Sequence, residues 1–365
     1  MAELLTGAIG ACQSILKYMA ELQEPNYAFT LGKKVGFLDY ITSRENLRIS
    51  NATTNAMTSG GKIRRMEVIY NQRTKDDVIK TGQAAIDATL CDTAEMFEQK
   101  NVIVEIDNRI ATRVLRFTNQ QLNEICQNPE TFMNQFIFQE MAAGREKLDK
   151  VLLAETDAAA GKIIGHDGTI TADPGAGAGK PVKLIATTTE GDRKPLFGPW
   201  GTIGLDYVNM ELNGTPFVIG QGISYEFMQL ARWSCCNSAI PYDDAIALAG
   251  LAYYLDQNVN QIMGNNEFLV IAPGSQILLT YNENTNIGIN YPNISQHIVI
   301  TDPVVPGLNW DLDMRWNECD KAWDTFLSVY FKLFNTFQDD SFNCSGTADR
   351  LCGMTGIFKY IATAA

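Results

Sequence analysis

The chain has 365 residues, room for one large domain or two ordinary ones, and its 45% hydrophobic against 19% charged composition argues for a buried core and against wholesale disorder. Its 29 basic and 42 acidic side chains give a net charge of −13, which argues against a general nucleic-acid binder gripping phosphates through a basic face. Two histidines, His166 and His297, leave little room for a His-rich metal site or a His-centred relay.

Near the start, Ile9-Gly10-Ala11-Cys12 has the form of a lipoprotein cleavage box. The preceding Met1-Ala2-Glu3 lacks the positive region of a signal peptide, so this stretch reads as an amphipathic arm. From 29 to 49 short apolar stretches mix with bases. Asn51 to Gly61 is small and polar with a closing Gly pair, and Lys62 to Tyr70 is rich in β-formers and bases. Strands flanking a Gly-rich polar tip predict a long, exposed β-hairpin. Such an arm has too little apolar content to pack alone and must lie on this chain or another copy.

Residues 102–106 and 110–117 read as further strands. Asn128-Pro129-Glu130 then supplies a capping Asn, a Pro at the first helical position and an early acid. Apolar residues follow at Phe132/Met133, Phe136/Ile137, Met141, Leu148 and Val151/Leu152, a three-and-four spacing that predicts a helix to about Ala160. At ~1.5 Å per residue it reaches ~45 Å, close to the ~50 Å diameter of a compact chain of this size.

The Gly-rich stretch 161–201 contains Pro174-Gly175-Ala176-Gly177-Ala178-Gly179-Lys180. It fails as a phosphate loop, because Pro181 stands where a magnesium-holding Ser or Thr belongs and Pro174 where the first Gly belongs. A short strand is predicted at 215–220 and helices at 224–236 and 243–263. The longest apolar run, 245–255, falls short of the ~20 residues that cross a bilayer and reads as part of a buried helix. Core strands are predicted at 267–272 and 276–281, turns at the asparagines between 282 and 293, and strands at 298–301 and 312–316. In 324–334, Phe326, Ser328, Tyr330 and Lys332 alternate with Leu327, Val329, Phe331 and Leu333, which predicts a long strand packed heavily on one face. A last short strand is predicted at 353–360.

Candidate chemistry is sparse. The eight cysteines form no C-x-x-C pair and read as buried free thiols of a chain made in a reducing cytoplasm. No G-x-S-x-G elbow occurs; His166 reads as a solvated turn and His297 as a packed core residue. Asp311 and Asp313, two apart on a strand, share a face with Glu318 and Asp320 nearby. They fit either a divalent-cation or acid–base pair, or a solvated edge whose charges discourage aggregation, and the second reading is preferred.

Charge is uneven along the chain. Residues 44–75 hold Arg44, Arg48, Lys62, Arg64, Arg65, Arg73 and Lys75 against two acids, whereas 241–320 holds ten acids and one base, Arg315. A basic strip and an acidic region can meet within the fold or between copies, or stay solvated.

This order of parts, with the helix segment Met141 to Leu153, the strand Gly214-Thr-Pro-Phe-Val-Ile-Gly220 and the closing Gly353-Met-Thr-Gly-Ile-Phe-Lys-Tyr360, resembles the major capsid proteins of tailed bacteriophages, the Hong Kong 97-type fold. The resemblance implies an α+β capsid fold: an N-terminal arm and first peripheral segment at 1–43, an extended loop at 44–80, and a peripheral domain at 81–200 with a spine helix at about 129–160. A mainly axial domain at 201–310 and a return to the peripheral sheet at 311–365 complete it. With the arm starting close to Met1, no fused scaffold segment is expected.

By the same resemblance the chain is expected to be a structural, non-enzymatic component of the virion. It would be synthesised in a host bacterial cytoplasm and self-assemble as hexamers and pentamers into an icosahedral shell around double-stranded DNA. Neither a cofactor, a metal nor a membrane is expected. Separate scaffolding, portal and decoration proteins are further candidate partners. The basic strip (Arg44, Arg48, Lys62, Arg64, Arg65, Arg73, Lys75) is the candidate contact between subunits. The alternatives are an encapsulin-like compartment, a tail tube, or a hydrolase centred on Asp311 and Asp313.

Overall fold

A computed structural model describes residues 14–15, 17, 33–43, 52–56, 65–71, 99–165, 183–188, 198–212, 214–220, 251–254, 256–264, 267–282, 295–305, 307–337 and 354–364. The predicted hairpin is present as an antiparallel pair, β1 (Ala52–Ala56) and β2 (Arg65–Asn71), in which Ala52 faces Tyr70 and Ala56 faces Met66. A third strand, β3 (Gln99–Glu105), pairs with β2 to make a three-stranded sheet. The strand β1 lies inside the stretch read as polar tip. Its β-branched Thr53 and Thr54 stand opposite Ile69 and Val68, and pairing overrides their polarity. The glycines at 60 and 61 lie outside the described residues.

A six-stranded antiparallel sheet forms the centre. Its members are β4 (Asn108–Ala111), β5 (Leu115–Phe117), β10 (Gln276–Tyr281), β11 (Ser295–Thr301), β12 (Asn309–Asn317) and β13 (Ala322–Asn335). At fourteen residues, β13 extends for ~46 Å and is flanked twice. Along one edge it meets β12 and then β10; along the other it meets β5 and then β4.

The one-sided packing expected of β13 does not hold through its middle, where Leu327, Ser328, Val329, Tyr330 and Phe331 are all buried. On one face Leu327, Val329 and Phe331 join the main core with Met141, Leu148 and Leu152. On the other, Tyr330 and Phe334 pack with Ile277 and Leu279 against Val68, Val104 and Ile106. The base of the hairpin sheet therefore rests on its own chain, which gives its apolar face the support it lacked alone.

The short helix α1 (Gly36–Ile41) precedes these sheets and was not foreseen. Nor was α2 (Asn119–Gln127), whose capping box pairs Thr118 with Gln121. The predicted long helix follows as α3 (Pro129–Phe132), a π turn (Met133–Ile137) and α4 (Phe138–Ala158). Pro129 opens it as expected. The backbone N–H of Asn128, however, donates to the Glu124 carbonyl and closes α2. One face of α4 buries Met141, Gly144, Arg145, Leu148, Asp149, Leu152 and Thr156 against the central sheet and α1.

The remaining strands form a five-stranded mixed sheet in the order β6 (Lys183–Thr188), β14 (Ile357–Ala364), β9 (Glu267–Ile271), β7 (Phe217–Gly220), β8 (Ala252–Tyr253). Pairs β14–β6 and β7–β8 are parallel. Phe268, Val270, Phe358 and Tyr360 pack with Met210 and, just before it, with Ile203 and Tyr207 of α5 (Gly198–Asn209), a helix hidden in sequence by its three glycines and one proline.

The helix expected at 243–263 is overturned over its C-terminal half. There β8 pairs with Phe217–Val218, and a 3₁₀ turn (Val259–Gln261) follows, so strand pairing overrides the apolar run. The helix expected at 224–236 lies outside the described residues. The boundary at 310/311 falls within β12. The strands β10 and β11 before it share a sheet with β13 after it, while β14 joins β7 and β9.

Candidate functional site

Asp311 and Asp313 share a face of β12, as their spacing requires, but β12 is an interior strand between β11 and β13. Both side chains are buried, at 2% and 1% exposure, so the solvated-edge reading is overturned. Cross-strand pairing decides this: Asp313 stands between His297 on β11 and Phe326 on β13, and Asp311 opposite Ser328.

Polar groups converge on the same face. The Nδ1 of His297 contacts Asp313 Oδ1, and Asp313 Oδ2 lies 3.6 Å from Arg109 Nη2 and 3.5 Å from Arg315 Nη2. Arg109 also donates to Ser328 Oγ at 3.0 Å, with its guanidinium 4.9 Å from the Tyr330 ring centre and 5.6 Å from that of Phe326. Arg315 lies 5.2 Å over the same Phe326 ring. Asn282 Nδ2 donates to Asp311 Oδ1 at 3.3 Å. A buried carboxylate held by cations and an imidazole is an electrostatic pin tying β4, β11, β12 and β13 together, since each strand supplies a member. His297 is thus a paired residue of the sheet face; His166 lies outside the described residues.

Of the basic strip, only Arg65 falls within the described residues; Arg44, Arg48, Lys62, Arg64, Arg73 and Lys75 lie outside them. Arg65 sits on β2 directly opposite Glu105 on β3. Its Nε donates to Glu105 Oε1 at 2.8 Å and its Nη2 lies 2.6 Å from the same oxygen, so this cation is met within its own chain. Asn101 Nδ2 donates to Glu67 Oε1 at 3.0 Å on the same outward face, beside exposed Ile103.

A clamp not expected from the sequence fixes α4 to the central sheet. Arg145 Nη1 donates to both oxygens of Asp302, at 2.8 and 3.0 Å. Asp302 also accepts from the backbone of Val304 (2.9 Å) and Val305 (3.1 Å) and from Trp310 Nε1 (2.9 Å). Asp302-Pro303, a turn-forming pair, marks the end of β11 in the sequence but not the partner of Asp302 on α4. Near the C-terminal end of α4, Lys359 on β14 contacts Asp157 at 2.9 Å and Glu267 at 2.7 Å. Burial alone would lower the Lys359 pKa, but these two carboxylates outweigh it and hold it above the usual lysine value.

Leu205 and Val208, three residues apart on α5, are 56% and 69% exposed, while Ile203, Asp206 and Tyr207 on the other face are buried. Among the described residues no group of three or more His, Cys, Asp or Glu is placed to hold a metal, and no helix is long and apolar enough to cross a membrane. Cys126 and Cys319 are not in disulfides; Cys319 is exposed, contrary to the buried-thiol expectation, because it lies in the tight turn joining β12 to β13.

No protein-family model matches the sequence, and no curated protein does. Among solved structures, a chain of the Cyanophage A-1(L) capsid asymmetric unit is similar over 91% of this chain and 94% of its own, with 13% identity and a TM-score of 0.51. Chains from Mycobacterium phage Adephagia (9% identity, 95% and 98% covered, TM-score 0.42) and Mycobacterium phage Che8 (10%, 86% and 93%, 0.35) align less well and carry no weight. The chain has the α+β fold of a phage capsid protein.

Proposed function

We propose that this chain is a phage major capsid protein that self-assembles into the closed shell enclosing a double-stranded DNA genome, and that its place is the virion. The observation that carries the reading is the capsid fold shared with the cyanophage chain over nine-tenths of both sequences. The architecture suits the task. A ~45 Å helical run from Pro129 to Ala158, clamped at its middle through Arg145 and near its C-terminal end through Asp157, backs a sheet whose other face bears a hairpin sheet, a stiff support for an arm. On this reading 44–80 is the loop that reaches a neighbouring copy, 201–310 lies mainly toward the capsomer axis, and the 44–75 bases meet acidic surface across subunits.

A structural rather than enzymatic role agrees with the state of the Asp311–Asp313 pair. Asp313 is occupied by His297 and two guanidinia and Asp311 accepts from Asn282, so each carboxylate is committed to fold contacts. Expression of the full chain, alone and with the products of neighbouring virion genes, followed by negative-stain microscopy and light scattering, tests the proposal. Curved, closed particles are expected. Tubes would favour the tail reading, and monomers under every salt and co-expression condition would overturn the shell.

A further inference from the structure

The segment 33–43 is held on α4 by two carboxyl groups that face each other. Asp149 of α4 and Asp256 are 0% and 4% exposed and hydrogen-bond one another. Each also reaches α1: Phe37 N–H donates to Asp256 Oδ2 at 2.9 Å, and Leu38 N–H donates to Asp149 Oδ1 at 3.1 Å. Asn258 bridges the pair, its backbone N–H donating to Asp256 Oδ1 (2.7 Å) and its Nδ2 to Asp149 Oδ2 (2.8 Å). Outside the pair, Lys33 N–H donates to Glu146 Oε1 at 3.0 Å, and Lys34 and Gln257 exchange two further hydrogen bonds.

Among the described residues neither carboxyl forms an ion pair. Two buried carboxylates in hydrogen-bonding contact cannot both ionise without strong repulsion, and one proton between them removes it. We propose that the Asp149–Asp256 pair is a proton-operated latch: sharing one proton it holds 33–43 against the long helix, and losing that proton releases the segment. The pair's hydrogen bonds run to α1, to its own partner and to the backbone and side chain of the turn that follows Asp256 (Asn258 and the Val259 N–H), so they tie 33–43 to α4 and to that turn. The inference concerns the isolated subunit and does not rest on the shell reading.

The sign follows from the geometry. Burial, and then the neighbouring Asp256 charge, push Asp149 up to about 8 from an ordinary carboxyl value near 4. Burial raises Asp256 as well. Charged groups around the latch are Lys33, Lys34 and Asp39 from the docked segment, Arg145 and Glu146 from α4 (Lys33 Nζ lies 4.0 Å from Glu146 Oε2), and Asp302 from the turn after β11. Asp39 is itself pushed up to about 6, chiefly by burial, with Lys34 and Arg145 opposing. Docking therefore takes up protons, and it weakens about tenfold per pH unit as pH rises toward 8, more steeply below 6 where Asp39 adds its own proton.

Hydrogen exchange of the full chain, corrected for intrinsic rates, tests this at pH 5 to 9.5 by comparing peptides over 36–41 with those over 322–335. Protection of 36–41 is expected to fall by about two orders of magnitude between pH 6 and 8 and then level, while 322–335 changes little. Asp149→Asn, which keeps a donor to Asp256 without a titrating proton, should flatten that slope. Asp39→Asn should remove only the part below pH 6. A pH-independent wild type, or a slope between 6 and 8 that survives in Asp149→Asn, overturns the latch. If the variant loses protection over 322–335, the wild-type series decides alone.

Discussion

The Trp310 indole comes up against the backbone of α4 at Gly144: a Cβ added there would stand 2.6 Å from Trp310 Cη2. The ring cannot withdraw, because its Nε1 is bound to Asp302, itself gripped by Arg145 one residue along the helix. One glycine thus sets how closely helix and sheet approach.

Gly144→Ala should therefore destabilise the chain. Helix propensity favours alanine by about 1 kcal/mol, but overpacking against a fixed ring costs about 1–3 kcal/mol. A net loss of roughly 1 kcal/mol is expected in urea unfolding. A more stable variant would show that the close approach is not binding.

Asp302→Ala should cost about 3–5 kcal/mol by the same measurement, since it leaves Arg145 buried without its anion and strands the Trp310, Val304 and Val305 donors. Asp324→Ala, removing a more exposed partner of Arg116, should cost well under 1 kcal/mol. Equal losses would refute the ranking by burial.

On the shell reading, Arg65→Glu should lower particle yield while the subunit stays folded. Combining it with Glu105→Arg restores the pair within the chain. Full recovery of yield by the double variant would mean that Arg65 serves the hairpin's own stability. Failure to recover would place its charge in a contact between copies.

Leu205→Glu with Val208→Glu should leave the thermal midpoint within a degree or two, because both side chains face solvent and surface changes are worth about 0.5 kcal/mol or less. Particle yield by light scattering is expected to drop severalfold. Unchanged yield would remove this face of α5 from the assembly surface.

Sequence periodicity reached the elements that carry it. The three-and-four spacing from Phe132 to Leu152 gave the long helix, and the alternation from Phe326 to Leu333 gave β13. It could not show that β13 would be covered on both faces, since Tyr330 and Phe334 acquire that cover from Val68 and Val104, more than two hundred residues away. The burial of Asp311 and Asp313 was hidden for the same reason: the strand was legible, but its neighbours on either side were not. The Arg145–Asp302 clamp and the Asp149–Asp256 pair depend on long-range approach that no local pattern encodes. The helix α5 was lost to its glycines, and α2 was marked only by Thr118 and Gln121, a capping signal left unread.

Among the described residues the strand β6 has a single neighbour in its sheet, β14, and the two run parallel. During synthesis β6 emerges long before β14 exists, and at about 5–20 residues per second the delay is on the order of ten seconds or more. Throughout that interval Lys183–Thr188 lacks the strand it pairs with among the described residues, and the side of β9 that β14 will cover is open. Among the described strands this sheet therefore closes only once β14 has been made, and until then the edges of β6 and β9 that β14 will cover stay open. That interval is when a chaperone would matter most, and when a copy still being made is least fit to meet a finished one.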